Sequence, residues 1–273
     1  MATERFSCEE SALALLGQIP SLPVAPRLYV ADSKTRILVT EDLRGPSLAD
    51  VTRGGDETVF AETLRVEARQ LARIASYTLR PRARSRPQAL RSQAVRLAGV
   101  ITTEIGVDVP AESIARTIST IEDGPFRALQ HGDVSPENFR PDRDSGRLVD
   151  FELADWDHPL MDLSSLIWSL STPWIPIETP LTEELEAVYR NELTGGWPLA
   201  SNDDLWSGEL TAALTYRCLG AMKELAAHGL PRPWLARALR VLISRIRSRN
   251  GETDLVWLEP AVSKISSWNS APE

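Results

Sequence analysis

The chain has 273 residues, of which 42% are hydrophobic and 25% charged, with a formal net charge of −8 and a pI near 5.1. This composition is sufficient to bury a core in one large domain or two lobes, and it excludes global disorder. The acidic balance argues against nucleic-acid binding and leaves room for a cationic small substrate.

Cysteine usage and the N-terminal residues indicate the compartment. Cys8 and Cys218 lie far apart and do not suggest a disulfide framework, which favours a reducing cytoplasm. The first ten residues, MATERFSCEE, lack the apolar stretch of a signal peptide. No apolar run approaches the roughly 20 residues that span a bilayer. We therefore expect a cytoplasmic protein that does not bind membranes.

The first 45 residues predict one helix and two short strands. The helix covers 6–17, with a capping box that begins at Ser7 and a terminating glycine at Gly17. Strands rich in β-branched and aromatic residues follow at about 27–31 and 36–41, joined by a turn.

The remainder of the chain is predicted to be mostly helical. Ser47 is a candidate helix start, and the clearest apolar periodicity follows it, at Leu64, Ala68, Leu71 and Ile74. The helices predicted in this part cover 57–79, 91–105, 110–121, 181–193, 203–228, 232–248 and 260–267. Between them, residues 129–153 are predicted to be strand and loop.

One segment, residues 131–152, carries a set of residues suited to phosphoryl transfer; it reads HGDVSPENFRPDRDSGRLVDFE. Asp133 is followed by Asn138 and then by Asp150, which ends a short apolar strand. An Asp…Asn…Asp set at this spacing is typical of phosphoryl transfer from ATP. Asp133 can accept the proton of an acceptor hydroxyl, and Asn138 and Asp150 offer oxygen ligands to Mg²⁺.

Two further residues give this loop its shape. His131 can hold it through hydrogen bonds to backbone carbonyls, and Gly132 permits a tight turn that a side chain would obstruct. Taken singly, these residues are also common in turns, and a histidine is often packed in a loop. The complete string favours a catalytic loop over that alternative.

The chain resembles the aminoglycoside phosphotransferase and choline kinase family, relatives of protein kinases. HGDVSPEN matches the catalytic loop, and VDFE matches the metal-binding strand end, with Glu152 in place of a glycine. DHPLMDLSSL matches the next segment, where Asp162 would brace the loop. The resemblance implies an α+β, protein-kinase-like fold. Its N-lobe, 1–45, would be reduced to two strands and one helix, and its C-lobe, 46–273, would be large and mainly helical.

The resemblance also implies ligands and their contacts. ATP and Mg²⁺ are the expected cofactors, and a small molecule with a hydroxyl group is the expected partner. The backbone of Glu41, Asp42 and Leu43 would face adenine in the hinge. Asp155 and Asp157, close to the metal-binding strand end, are candidates to face an ammonium group of the acceptor.

The chain departs from the family at its beginning. The family has three strands before its first helix, which carry the phosphate loop and a lysine, and only five residues precede Phe6. Glu9 matches the position that normally pairs with that lysine, and without it is expected to be a solvated helix residue or part of the capping turn. Lys34 lies in the turn between the two strands and is expected to be solvated rather than near phosphates.

Three interpretations stay open at this stage. The first is a phosphotransferase that acts on an aminoglycoside, a choline-like or other amino alcohol, or a sugar. The second is an inactive pseudokinase that binds a ligand or partner, and the third is an active kinase whose start codon was assigned too far downstream. For the chain as it stands, we expect weak ATP binding and slow transfer.

Overall fold

The computed structural model describes residues 2–19, 23–82, 90–142, 145–169, 179–228, 239, 241–246, 257–258, 260–261 and 263–264. Its helices are α1 (Ala2–Leu16), α2 (Leu48–Arg53), α3 (Glu57–Thr78), α4 (Leu90–Ile105), α5 (Ala111–Glu122), α6 (Met161–Ser169), α7 (Thr179–Thr194) and α8 (Asp203–His228). Its strands are β1 (Leu28–Asp32), β2 (Ile37–Thr40), β3 (Arg80–Pro81), β4 (Phe126–Gln130), β5 (Phe139–Asp142), β6 (Ser145–Leu148) and β7 (Asp155–Asp157). The chain is therefore α+β, with helices predominant, as predicted.

The described chain forms two compact units. The first contains the described residues within 1–81, 126–169 and 179–200, and the second those within 82–125 and 201–264. The predicted lobe boundary at residue 45 lies inside the first unit and stays a prediction.

The first unit holds three small antiparallel sheets. β1 pairs with β2, β4 lies between β3 and β7, and β5 pairs with β6 in a hairpin. Helix α3 packs against α7 and against β4, and its predicted core residues Leu64, Ala68, Leu71 and Ile74 are all buried. Their spacing of three and four residues places them on one face of the helix, which explains why the periodicity identified them.

The two N-terminal helices show where local sequence determines a helix start. Ser47 caps α2 in a capping box: its Oγ accepts from Asp50 N at 3.2 Å, and Asp50 Oδ2 accepts from Ser47 N at 2.9 Å.

The prediction for α1 was wrong at its start, because α1 begins at Ala2 and Ser7 lies inside it. No Gly or Pro interrupts residues 2–6, and Arg5 gains an ion pair with Glu152, so the helix extends.

The second unit is built from α4, α5 and α8, which pack on one another. Its buried side chains include Ile101, Ile114 and Ile118, which are fully buried. Most of the predicted helices 232–248 and 260–267 lies outside the described residues. In the part of the chain that is described, no helix combines the length and the apolar character needed to cross a bilayer.

Candidate active site

The central strand β4 delivers the loop that carries the candidate catalytic residues. Ala128, Leu129 and Gln130 are buried, and the chain leaves the strand directly into His131. The loop continues through a short 3₁₀ helix, Pro136–Asn138, into the β5–β6 hairpin, which ends two residues before Asp150. One strand, one loop and one hairpin therefore bring together residues that are up to 19 positions apart.

His131 is fully buried and connects the two ends of this segment. Its Nε2 lies 2.9 Å from Val149 O, and its Nδ1 lies 3.3 Å from Asp133 N. A carbonyl oxygen can only accept and a backbone N–H can only donate, so this geometry fits a ring with the proton on Nε2. The ring also lies 4.5 Å from that of Phe151, centroid to centroid. His131 thus holds the start of the loop against the residues that flank Asp150.

Asp162, at the start of α6, holds the loop through both of its carboxylate oxygens. Oδ2 accepts from His131 N at 2.6 Å, and Oδ1 accepts from Gly132 N at 3.1 Å. Burial raises the pKa of Asp162, whereas His131 and the two amide donors oppose that rise. Gln130 Oε1 accepts from Asp162 N at 2.9 Å, so the aspartate is itself held in place.

Gly132 occupies a position that no other residue can take without strain. Its φ is +82°, and a Cβ atom there would lie 2.3 Å from Leu153 O. The left-handed backbone and the close approach both exclude a side chain. The glycine therefore lets the turn pass directly under the segment that follows Asp150.

Asp133 and Asn138 are in direct contact. Asn138 Nδ2 donates to Asp133 O at 3.0 Å and to Asp133 Oδ2 at 3.2 Å. Asn138 is mostly buried and Asp133 is exposed, so the buried amide orients a carboxylate that solvent and ligands can reach. Among the described residues, Asn138 Oδ1 has no hydrogen-bond partner, and it is free to bind a cation.

Asp150 lies beside this pair and has a strained backbone. Val149 N donates to Asn138 O at 2.9 Å, which fixes the end of the hairpin next to the 3₁₀ helix. Asp150 is exposed and has a φ of +66°, an uncommon value for a residue other than glycine. Such strain is frequent at functional sites, where the surrounding structure enforces it. Across the described residues, no group of three or more His, Cys, Asp or Glu side chains is placed to hold a metal ion.

Glu9 is a site residue whose role was missed at the sequence level. The expectation of a solvated helix residue was wrong, because its carboxylate is half-buried and accepts a hydrogen bond from Phe151 N. Burial raises the pKa of Glu9, and the nearby charges of Asp150 and Glu152 add to that rise. The resemblance to the family pointed to this position, but the contact with the residue after Asp150 is visible only in three dimensions.

One of the predicted hinge residues, Glu41, lines a small cavity. The cavity has a volume of about 320 Å³, and its lining includes Tyr29, Glu41 and Arg147. Burial alone would raise the pKa of Glu41, but the hydrogen bond from Arg27 N and the ion pair with Arg147 outweigh it and lower the pKa. Within the described structure, the backbone groups of the next two residues, Asp42 and Leu43, have no hydrogen-bond partner.

Asp155 and Asp157 lie on β7, which pairs with β4 just before His131. Asp155 is exposed, and its Oδ1 accepts from Trp156 N at 2.7 Å. Asp157 Oδ1 accepts from His158 N at 2.6 Å, and burial raises the pKa of this carboxylate. Of the two acceptor-facing candidates, Asp155 is therefore the one more accessible to a ligand.

An α+β fold with this loop, hairpin and helix order is the fold of the protein-kinase-like phosphotransferases. The family model described as phosphotransferase enzyme family (APH) matches residues 4–198. The chain therefore belongs to this family. No curated protein sequence matches the chain significantly.

Solved structures share the fold at low sequence identity. An aminoglycoside phosphotransferase from Alicyclobacillus acidocaldarius has a TM-score of 0.55 and 16% identity, covering 98% of this chain and 85% of that one. Amicoumacin kinase hAmiN, in complex with AMP-PNP, Ca²⁺ and Ami, has a TM-score of 0.54 and 14% identity, covering 90% and 78%. A choline/ethanolamine kinase family protein from Mesorhizobium loti has a TM-score of 0.52 and 16% identity, covering 93% and 83%. These likenesses confirm the predicted protein-kinase-like fold.

Proposed function

We propose that this chain transfers the γ-phosphate of ATP to a hydroxyl group of a small molecule. The observation that carries the proposal is the contact of exposed Asp133 with buried Asn138, beside the strained Asp150. In that arrangement Asp133 accepts the hydroxyl proton as the acceptor oxygen bonds to the γ-phosphorus and the bond to the ADP oxygen breaks. Oriented charge and positioning account for most of the catalysis in reactions of this class.

The residues present fit a nucleotide-bound magnesium ion. Asn138 Oδ1 and the Asp150 carboxylate would be its protein ligands, which matches the sparse oxygen set of a magnesium site completed by phosphates and water. When bound, Mg·ATP supplies the phosphoryl group and neutralises part of its charge. Glu41, Asp42 and Leu43 would contact adenine, since Glu41 lines the 320 Å³ cavity and the backbone groups of Asp42 and Leu43, unpaired among the described residues, offer donors and acceptors.

The acceptor is proposed to carry an amine as well as a hydroxyl. The support is the exposed carboxylate of Asp155 close to the catalytic loop and the net charge of −8. Aminoglycosides, choline-like and other amino alcohols, and amino sugars are the compounds of this kind to screen. The cytoplasm is the proposed location, because neither Cys8 nor Cys218 forms a disulfide and ATP is the proposed donor.

A non-catalytic binding module is the second candidate, favoured by the small nucleotide-side sheet. Only β1 and β2 form that sheet in the described chain, and two strands make a marginal unit. The two candidates share a ligand site and differ in turnover.

The experiment that separates them measures binding and turnover on the same preparation. Amino alcohols, aminoglycosides and neutral sugars are screened by thermal shift with Mg·ATP, and each stabilising compound is then examined by mass spectrometry for an added phosphoryl group. An Asp150→Asn variant is expected to lose Mg·ATP affinity, and the exposed Asp142→Asn variant serves as its control. Stabilisation by a compound that is never phosphorylated would favour the binding module. Equal Mg·ATP affinity in wild type and Asp150→Asn would contradict the metal-ligand assignment.

A further inference from the structure

A charged cleft lies on the side of the first unit that carries β1, β2 and α1. It has a volume of about 730 Å³, and charged residues of three segments line it. Arg5 and Glu9 come from α1, Lys34 and Arg36 from the β1–β2 turn, and Glu152 from the segment after Asp150. Sequence analysis had separated Lys34 from the catalytic segment, whereas the structure places both in the lining of one cleft.

The charges that line this cleft are not balanced. Arg5 forms an ion pair with Glu152 at 2.6 Å. Neither the Lys34 ammonium nor the Arg36 guanidinium pairs with a carboxylate among the described residues. Two exposed cations are therefore available to a ligand that enters the cleft, and their charge favours an anion.

The turn that carries these cations has a defined shape. Asp32 Oδ1 accepts from Lys34 N at 2.9 Å, and Asp32 Oδ2 accepts from Thr35 Oγ1 at 2.7 Å. Arg36 follows with a φ of +55°. Because its carboxylate bonds to its own turn, Asp32 leaves the Lys34 and Arg36 side chains without a neighbour to neutralise them.

Two acidic residues in the lining, Glu9 and Glu152, lie close to the candidate metal ligand Asp150. Glu9 lines the cleft and accepts a hydrogen bond from Phe151 N, the residue after Asp150. The negative charges of Asp150 and Glu152 interact electrostatically with the carboxylate of Glu9. Unpaired cations in the lining and Asp150 close to Glu9 match a ligand that combines several phosphates with a divalent cation.

We propose that Lys34 and Arg36, on the β1–β2 turn, bind the phosphates of Mg·ATP. This inference rests on the proposed function and assigns that site two residues from an unexpected element. It predicts tighter ATP binding than the sequence alone led us to expect, because the hairpin turn would supply two charge-assisted contacts to the phosphates.

The test compares two double variants of the full chain by calorimetry, with Mg·ATP and inorganic tripolyphosphate as the titrants. Lys34→Ala/Arg36→Ala removes the cleft cations. Lys223→Ala/Arg116→Ala removes two exposed cations that do not line the cleft. We expect the first variant to lose about 10–100-fold in affinity for both titrants, as is typical for lost hydrogen bonds to charged groups. The control is expected to bind as wild type does, and unchanged thermal unfolding would show that both variants fold.

Each outcome decides the inference separately from the proposed function. If wild type binds neither titrant, or if both double variants lose affinity equally, the inference is overturned. If wild type and Lys34→Ala/Arg36→Ala bind Mg·ATP equally, the inference is also overturned while phosphoryl transfer can still stand. If the cleft variant alone loses affinity and no acceptor is ever phosphorylated, the inference stands and the proposed transfer fails.

Discussion

The catalytic loop and the β1–β2 hairpin belong to the same unit but are stabilised in opposite ways. The loop is held from beneath by His131 and Asp162, which are at most 2% exposed and hydrogen-bonded to residues far away in the sequence. Among the described strands, β1 and β2 of the hairpin pair only with each other, and Tyr29 and Ile37 are 57% and 54% exposed. Its defining hydrogen bonds, those of Asp32, remain within its own turn.

We attribute different roles to the two regions: the loop positions reacting groups, and the hairpin contributes to ligand binding. A loop that carries reacting groups must keep its geometry, so it is enclosed in long-range buried contacts that are costly to break. The hairpin presents charged and apolar side chains to solvent, where single changes cost little folding stability. Substitutions in the loop should therefore reduce stability or turnover strongly, and substitutions in the hairpin should change ligand binding or association.

The largest effect is expected from Asp133→Ala. Removal of a positioned base commonly reduces turnover by about 10²–10⁴-fold, and the exposed side chain contributes little to folding. Steady-state turnover and thermal unfolding are measured together, with exposed Asp142→Ala of the adjacent hairpin as the matched control. A variant that keeps more than about a tenth of the wild-type rate would remove Asp133 from the base role.

Gly132→Ala tests whether neighbouring backbone encloses the loop too tightly for a side chain at this position. The backbone at φ +82° and the 2.3 Å approach to Leu153 O predict a loss of at least about 2 kcal/mol in the free energy of unfolding. Denaturant unfolding measures this loss. Gly99→Ala is the control, because Gly99 is an exposed residue of α4 with open space at its Cβ, and alanine there should stabilise by about 0.5–1 kcal/mol. Equal stability of Gly132→Ala and wild type would show that the turn is not constrained as described.

Glu67→Gln tests the buried charges beneath the loop. Glu67 is 1% exposed in α3, its Oε1 has no hydrogen-bond partner, and burial followed by the charge of Asp162 raises its pKa to about 8. The folded chain therefore keeps a proton that the unfolded chain loses above a pH of about 4.5. Stability should fall as pH rises between these values, at a rate approaching 1.4 kcal/mol per pH unit, and level off above about 8.

In Glu67→Gln this slope should disappear, and the variant should be more stable than wild type by about 1–3 kcal/mol near pH 7. The measurement is the free energy of unfolding in urea from pH 5 to pH 9. Exposed Glu62→Gln on the same helix is expected to keep the wild-type profile. Parallel pH profiles for wild type and Glu67→Gln would show that the buried carboxyl does not carry its proton in this window.

The smallest effect on folding is expected from Ile37→Thr in the hairpin. The side chain is exposed and threonine keeps a β-branched residue in the strand, so the free energy of unfolding should change by less than about 0.5 kcal/mol. Light scattering should show less self-association, because the exposed apolar edge becomes polar. Ile118→Thr at a fully buried position should cost about 2 kcal/mol or more. A comparable loss in the free energy of unfolding for Ile37→Thr and Ile118→Thr would mean that the hairpin face carrying Ile37 is buried against another surface.

The sequence predicted most of the helices because their signals are local. The prediction of 57–79 agrees with α3, Glu57–Thr78, since four apolar residues share a face and Asp56 caps the start with hydrogen bonds to Thr58 N and Val59 N. The start of α1 was mispredicted for the complementary reason. Ser7 is a good capping residue, but it lies inside the helix, because the tertiary contact of Arg5 extends the helix towards the N-terminus.

Only those site residues that belong to one sequence motif could be predicted from the sequence. Asp133, Asn138 and Asp150 could be proposed from their spacing, and their roles stay a proposal. The contact between Glu9 and Phe151 joins residues 142 positions apart, and the Lys34 turn meets Glu152 only through the fold. No local pattern encodes either of these placements, because both depend on how α1 and the hairpin pack against the segment after Asp150.

The central claim is phosphoryl transfer, and ³¹P NMR of a single reaction measures it most directly. The wild-type chain is incubated with Mg·ATP and the acceptor that gives the largest thermal shift. The account predicts that a phosphomonoester resonance grows at the same rate as that of ADP, and that both vanish without Mg²⁺ or with Asp133→Ala. Unchanged ATP in the presence of a bound acceptor, or ADP and inorganic phosphate without a phosphomonoester, would contradict it.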